Sequence, residues 1–257
     1  MTPRLFSLVA VFLSVACLSL AQSHSLPPLG ATDAQAAQLV GPVRSVAMRS
    51  WRVDFSRHTI QKADMTARRV TSFSRAGAVV SIVTMDSEGV TQSKTLLGYD
   101  YMSNLSTAMT VDKSGATVFS STYRLNLLGL GQDSVSLVDV AGNVVCRSSV
   151  VRLPQSVSTS DCYADGAVSS NLREFDSLFR LKSLSSTTDG TTTSFSFRLP
   201  KSGVLPVSAT RRDPDGSRHN VSFVYEADAA GNWTRRVLSV DGVPVEVAER
   251  DIDYYDD

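Results

Sequence analysis

Residues 213–216 read DPDG, which places two carboxylates one residue apart, beside a glycine and close to His219. Carboxylates at alternating positions can begin a calcium loop, and carboxylates near a histidine can act as a general acid and base. A calcium loop needs further oxygen ligands at alternating positions, and only Ser217 continues the series. The D-x-x-G spacing also recurs along the chain, which favours a structural turn over a site.

The recurring D-x-x-G segments have the residue types of a type I turn followed by a left-handed residue. The aspartate accepts hydrogen bonds from the turn backbone, and the glycine adopts a positive φ. Such turns close β-hairpins. The turn residues are Asp86, Gly89, Asp112, Gly115, Asp139, Gly142, Asp213, Gly216, Asp228 and Gly231.

Turn residues recur every 11 to 15 positions, and the runs between them are rich in β-branched and aromatic residues. This spacing predicts an all-β domain over 39–257, an antiparallel meander of about 14 hairpin-linked strands forming a curved open sheet or ribbon. An up-and-down barrel and propeller-like blades are the alternatives. Over 172–184 a leucine or phenylalanine recurs every third residue, so a helix packed on the sheet stays open there.

The residues before this domain predict a leader, 22–38, that contains a short helix. The segment TDAQAAQLVG has the composition of a helix capped by Asp33 and ended by Gly41. Residues 22–30 include two prolines and are expected to be flexible.

The first 21 residues have the pattern of a secretory signal peptide. Arg4 precedes an apolar run to Ala21, and Ser19-Leu20-Ala21 is a small-x-small cleavage sequence. The sequence therefore predicts an exported protein, periplasmic or extracellular, with no membrane-spanning helix after cleavage. A lipid anchor on Cys17 is the alternative.

Charge and motif content exclude several classes of function. Removing Arg4 with the leader leaves 24 basic and 25 acidic residues, so nothing predicts binding to nucleic acid. His24, His58 and His219 have no metal-ligand spacing, and no nucleophile elbow or phosphate-binding loop occurs. We therefore predict no catalytic residue, no metal, no cofactor and no enzymatic activity.

Two cysteines remain after cleavage, Cys146 and Cys162. A hairpin turning at 153–155 would place residues whose numbers sum to 308 opposite each other, and this pair has that sum. Directly opposed residues of a non-hydrogen-bonded pair lie about 4.5 Å apart at Cα, a separation that a disulfide tolerates. Because exported proteins favour disulfides, the sequence predicts a Cys146–Cys162 bond.

Aromatic residues are the remaining candidates for binding. They could line a surface that stacks on sugars or peptides, or they could be core residues and cross-strand pairs. The candidate residues are Trp51, Tyr225, Trp233, Tyr254 and Tyr255.

Several segments resemble the bacterial YD repeat, also called the RHS repeat. Residues 175–197 resemble its Y-D-x-x-G-R-L unit with the D-G turn and aromatic strand that follow, and 99–105 and 227–233 are degenerate copies. The opening LVGPVRSV (39–46) and the ending RDIDYY (250–255) resemble those of small exported proteins built from such hairpins. The resemblance implies an exported β-hairpin array with no established catalytic residues.

These observations lead to one expected function and two alternatives. The expected function is a non-enzymatic, exported binding or scaffold protein of the bacterial envelope or exterior, whose partner is an unknown protein, peptide or glycan. An outer-membrane β-barrel is the first alternative, against which short strands with many serines and threonines argue. An exported hydrolase without a recognisable motif is the second.

Overall fold

The computed structural model describes residues 26–56, 59–100, 104–124, 132–201 and 203–256. The predicted signal peptide, its cleavage site and Cys17 lie outside these residues. The described chain forms one short helix, α1 (Asp33–Ala36), followed by sixteen strands. The strands are β1 (Val43–Ser56), β2 (Thr59–Phe73), β3 (Val79–Met85), β4 (Thr91–Tyr99), β5 (Leu105–Asp112), β6 (Thr117–Arg124), β7 (Gln132–Asp139), β8 (Val144–Leu153), β9 (Ser156–Tyr163), β10 (Val168–Phe175), β11 (Leu181–Thr188), β12 (Thr191–Arg198), β13 (Ser208–Arg212), β14 (Arg218–Ala227), β15 (Trp233–Val240) and β16 (Val243–Tyr254).

Each strand pairs antiparallel with the next, and β1 pairs with β16, so the sheet closes into a barrel. Along this seam Val46 lies opposite Ile252, and Ser50 opposite Ala248. The prediction of a curved open sheet is therefore wrong, and the barrel named as an alternative is what forms. Turn spacing reports only local hairpins and carries no information on whether the first and last strands meet.

The predicted number of strands was also too low, because one hairpin has no turn signal. Strands β1 and β2 are joined between Ser56 and Thr59, where no glycine or proline occurs. The segment 172–184, for which a helix stayed open, lies in β10, the following turn and β11. Its apolar residues recur every third position only because that turn separates the two strands.

The D-x-x-G segment at 213–216 is a turn in the structure. The amide of Gly216 donates to the carbonyl of Asp213 at 2.9 Å, and Gly216 has a φ of 83°. The amide of Ser217 donates to the Asp215 carboxylate at 2.9 Å, which is also a local turn contact.

Strand pairing divides the side chains into two faces, and the N-terminal segment 26–42 shows which face points inward. Leu26, Ala34 and Leu39 share one hydrophobic core with residues from all of β1 to β10. A single segment and ten successive strands of a closed sheet can share one core only inside the barrel. We call the end of the barrel that this segment fills the closed end, and the opposite end the far end.

Segment 26–42 is held to the closed end by backbone hydrogen bonds at separate points around the rim. The amide of Leu29 donates to the carbonyl of Leu153 at 3.2 Å, and the amide of Ala34 to that of Gly77 at 3.0 Å. Leu26 is only 5% exposed. The described part of the predicted leader, 26–30, therefore packs against the core, in which Leu26 is buried.

Helix α1 begins one residue earlier than the sequence suggested. The N-cap is Thr32, whose hydroxyl accepts from the amide of Gln35, while the Gln35 side chain accepts from the Thr32 amide. Asp33 instead accepts a hydrogen bond from the amide of Val79, at 2.8 Å, and so ties the helix to β3. Among the described residues, no helix has the length and apolar character needed to cross a bilayer.

The predicted Cys146–Cys162 disulfide is absent, and both thiols are free. The hairpin turns at two residues, 154–155, so Cys146 lies opposite Tyr163, and Cys162 opposite Arg147. This register differs by one residue from the predicted one, and side chains alternate between the faces of a strand. Cys146 is therefore buried on the inner face, while Cys162 is exposed on the outer face.

Candidate binding site in the barrel interior

The five aromatic residues predicted as a binding surface lie in three separate places. Trp51 is on the outer face, with the ammonium of Lys62 3.9 Å from its ring centroid. Tyr254 and Tyr255 are at the closed end. Tyr225 and Trp233 are together on the inner face, with ring centroids 6.3 Å apart.

The tyrosines at the closed end make structural hydrogen bonds. The Tyr254 hydroxyl donates to the Asp228 carboxylate at 2.5 Å and accepts from the Asn232 side chain at 2.7 Å. The Tyr255 hydroxyl donates to the carbonyl of Phe73 at 2.6 Å. Because both hydroxyls are held by protein groups, these residues join the end of the chain to the closed end of the barrel.

Tyr225 and Trp233 end a row of aromatic rings that crosses the inner face from β12 to β15. Successive ring centroids in this row are 6.1 to 6.5 Å apart. Trp233 is 4% exposed, so the row is part of the barrel interior. The row consists of Phe195, Phe197, Phe223, Tyr225 and Trp233.

Three arginines surround the Trp233 end of this row. The guanidinium carbon of Arg250 lies 3.7 Å from the Trp233 ring centroid, and that of Arg236 lies 5.2 Å away. Arg69 reaches the same region from β2, because Met48 on β1 lies opposite both Arg69 and Arg250. We call Arg69, Arg236 and Arg250 the arginine cluster.

The N–H donors of the arginine cluster outnumber the acceptors that the surrounding protein offers them. Arg236 donates to the Glu246 carboxylate at 2.5 Å. The Nε and Nη1 atoms of Arg250 are buried and have no hydrogen-bond acceptor, and Arg69 donates no hydrogen bond to any described residue. Buried charge without a partner is costly, so the cluster lowers the stability of the barrel as it stands.

The pKa values in the cluster change in the direction that this burial dictates. Burial, together with the neighbouring positive charges of Arg236 and Arg69, lowers the pKa of Arg250 to about 9. Burial also lowers the pKa of Arg69. Burial raises the pKa of Tyr225 to about 12, although the positive charges of Arg236 and Arg250 oppose that rise. Tyr225 is therefore neutral at pH 7, and the local charge of the cluster is positive.

Beyond the cluster, much of the inner face carries hydroxyl and amide groups. All but one of these residues keep partial solvent exposure although they point into the barrel, so water-sized space remains beside them. This polar lining begins beside the cluster, where Thr84 lies opposite Arg69. The lining residues are Thr84, Thr95, Thr110, Ser121, Ser148, Thr159, Asn171, Ser186 and Thr193.

The carboxylates and histidine around DPDG form a paired network at the far end. Arg211, which is 2% exposed, donates to Asp213 at 2.6 Å, and His219 Nδ1 lies 2.7 Å from the Asp241 carboxylate. The hydrogen bond with His219 is the main cause that lowers the pKa of Asp241. Within the described parts of the chain, no three His, Cys, Asp or Glu side chains converge as metal ligands do.

The arginine cluster was not among the predicted sites, because its members come from three strands and share no motif. A partial signal exists in the last strand, where Arg250, Ile252 and Tyr254 alternate with acidic residues. Once one face is known to be buried, that alternation places Arg250 inside.

The barrel resembles solved structures at low sequence identity. A porin-like protein from Bacteroides uniformis is 15% identical, with a TM-score of 0.55 over 83% of this chain and 99% of that one. A porin-like protein from Bacteroides vulgatus is 12% identical, with a TM-score of 0.47 over 83% and 98% of the chains. At this identity the first likeness shows the fold alone, and the second is too weak to support an argument.

The pore form of the Photorhabdus luminescens Tc holotoxin is also similar over 81% of this chain and 13% of its own, at 14% identity and a TM-score of 0.24. That score is too low to support the YD-repeat resemblance, which stays a prediction. No protein-family model matches the sequence, and no curated protein matches it.

Proposed function

We propose that this protein is an exported, non-enzymatic binding protein whose barrel stands in water and holds its ligand inside. The observation that carries the proposal is the polarity of the outer face. Outward positions on the strands from β9 to β13 are largely serine and threonine. They include Ser158, Ser160, Ser170, Ser183, Ser185, Thr187, Thr192, Ser194, Ser196, Ser208 and Thr210.

The outer face on the other side of the seam carries ion pairs. Arg235 lies 2.7 Å from Glu226, and Arg49 lies 2.8 Å from Asp251. A lipid-facing surface needs an apolar band about 25 Å tall, and an arginine or lysine at its middle costs about 2–4 kcal/mol. Exposed pairs in water carry no such cost, which favours an aqueous environment.

The β1–β2 hairpin also covers part of the outer face. Lys62 on β2 forms an ion pair with Glu249 on β16, although β1 separates the two strands. Beside this contact Val247 and Ala248, which point to opposite faces, are both 0% exposed. Protein therefore covers β16 on both sides here, where a membrane barrel would present side chains to lipid.

The length of the strands also favours a barrel in water over a barrel in a membrane. Half of the sixteen described strands have eight residues, and such a strand, about 26 Å long and tilted by about 40°, rises only about 20 Å. That height is less than the apolar band of a membrane barrel. Outward positions in the registers of β3 to β15 also carry no aromatic residue, so these described pairs form no aromatic girdle.

An outer-membrane barrel is the second candidate, and the likeness to the porin-like structure favours it. One fractionation experiment separates the two. The full chain is expressed with its leader in a Gram-negative host, and a resident porin is followed as the control. We expect the protein to be released by osmotic shock and to be monodisperse without detergent. Sedimentation with the porin, resistant to alkaline carbonate, would overturn the proposal and support the second candidate.

A further inference from the structure

We infer that the arginine cluster binds a small oxyanion, a carboxylate, phosphate or sulfate group, beside the ring of Trp233. This inference deepens the proposed function by naming the class of ligand, and it rests on that function in treating the barrel interior as reachable from water. Nothing in the sequence motifs pointed to it.

The first argument is the imbalance of charge. The three arginines come from β2, β15 and β16, with β1 between β2 and β16, and Glu246 is the acid bonded to Arg236. Barrels need no arginine at such positions for packing, because methionine or leucine fills a similar volume without the cost of buried charge. Two uncompensated positive charges in a confined space attract an anion strongly.

The second argument is the geometry of the free donors. Arg250 lies against the Trp233 ring, which fixes the plane of its guanidinium and leaves the edge with its N–H groups available. The buried Nε and Nη1 atoms of Arg250 have no acceptor in the protein. A planar guanidinium edge matches the two oxygens of a carboxylate, phosphate or sulfate in a bidentate arrangement.

The third argument is access. Arg69 and Arg250 each keep part of their surface exposed, and so do all but one of the hydroxyl and amide residues that line the inner face. The closed end is filled by segment 26–42, so a ligand would enter from the far end. The Arg211–Asp213 pair and His219 at the far end are already paired, so they do not compete for the ligand.

The test uses the fluorescence of Trp233. The chain has two tryptophans, so Trp51→Phe on the outer face leaves Trp233 as the reporter. This variant is titrated at constant ionic strength with inorganic phosphate, sulfate and benzoate, and with benzyl alcohol as a neutral control. We expect a saturable change with at least one oxyanion and none with benzyl alcohol. Comparison of the phosphate, sulfate and benzoate titrations also shows which oxyanion group the site prefers.

Two variants locate the site, and one matched variant controls for charge. Since a hydrogen bond between charged groups is worth about 1.5–3 kcal/mol, Arg250→Gln and Arg69→Gln should each weaken binding by about tenfold or more. Arg235→Gln removes the same charge from the outer face of β15, where Arg235 is paired with Glu226, and should leave binding unchanged. Circular dichroism shows whether each variant folds. If Arg250→Gln does not fold, the binding measured with Arg69→Gln tests the inference instead.

The inference is overturned if no oxyanion gives a saturable signal, or if Arg235→Gln weakens binding as much as Arg250→Gln. Its failure is distinct from failure of the proposed function, which is read from fractionation. A protein that needs detergent yet binds oxyanions through Arg250 would overturn only the water-facing barrel. A soluble protein without oxyanion binding would overturn only the inference.

Discussion

On the outer face of the barrel wall, Arg235 and Arg49 sit in water and are each paired with an acid. On the inner face of the same sheet, Arg250 and Arg69 are largely removed from water and lack an acidic partner. Exposed pairs contribute about 0–1 kcal/mol, so the outer charges matter mainly for solubility. Buried unpaired charges reduce stability, and a protein keeps them where they act on something other than the fold.

The buried polar side chain of Asn232 at the closed end contrasts with the unpaired arginines elsewhere in the interior. The Asn232 side chain is satisfied, because it exchanges hydrogen bonds of 2.7 Å with both backbone groups of Val40. A buried polar group with all its partners stabilises one structure. The interior therefore has a packed part that holds the barrel together and a part with unpaired arginines that is available for a ligand.

The largest effect is expected from the core of the closed end. Phe175→Ala removes a side chain that is 3% exposed and should reduce the free energy of unfolding by about 3–5 kcal/mol. Leu172→Ala, on the outer face of the same strand, should change it by less than about 0.5 kcal/mol. Urea unfolding followed by circular dichroism measures both. Equal losses would mean that the two faces are assigned wrongly.

Asn232→Ala should have the next largest effect. It leaves the Val40 backbone groups and the Tyr254 hydroxyl without this partner in a buried place, which should cost about 2–3 kcal/mol. Asn220→Ala on the exposed outer face is the matched control and should be close to neutral. A small loss for Asn232→Ala in the same urea experiment would show that segment 26–42 does not depend on this bond.

Arg250→Met should change the free energy of unfolding in the opposite direction, towards higher stability. It replaces an unpaired buried charge by an apolar side chain of similar length, and should raise the free energy of unfolding by about 1 kcal/mol. Arg235→Met, which breaks an exposed pair, should lower it by no more than about 0.5 kcal/mol. The comparison is made by thermal unfolding in an oxyanion-free buffer. Strong destabilisation by Arg250→Met would give this arginine a structural role.

The two cysteines allow the inner and outer faces to be compared by their reactivity, without any substitution. Cys162 on the outer face should react rapidly with iodoacetamide in the native protein, while Cys146 should react only after unfolding. Burial raises the pKa of the Cys146 thiol, which slows its reaction further. Peptide mass spectrometry after timed alkylation measures each rate separately. Protection of both thiols until a reductant is added would restore the predicted disulfide and shift the register by one residue.

Much of the local structure could be predicted from the sequence, because turns are short-range. The segment DPDG was predicted as a turn, and Asp213 and Gly216 have the hydrogen bond and φ of one. The hairpin between Ser56 and Thr59 has no such residues and was missed. The predicted register of Cys146 and Cys162 was wrong by one residue, because a two-residue and a three-residue turn at Pro154 look alike in the sequence. The three-residue turn would place both cysteines on one face, whereas the two-residue turn places them on opposite faces.

The candidate site could not be predicted in the same way. Of the predicted aromatics, Tyr225 and Trp233 contribute to it, while Trp51, Tyr254 and Tyr255 lie elsewhere. Arg69 and Arg250 are 181 positions apart and meet only because β1 lies between β2 and β16.

The sequence by itself determined that the chain forms antiparallel hairpins, because alternating strands and D-x-x-G turns depend on neighbours a few residues away. Closure of the sheet was decided only by the tertiary structure, since pairing of Val46 with Ile252 joins strands more than 200 positions apart. Closure also defines an inside. Closure of the sheet therefore buries Arg250 and leaves its charge without an acidic partner. In this way a residue of the last strand becomes part of a candidate binding site.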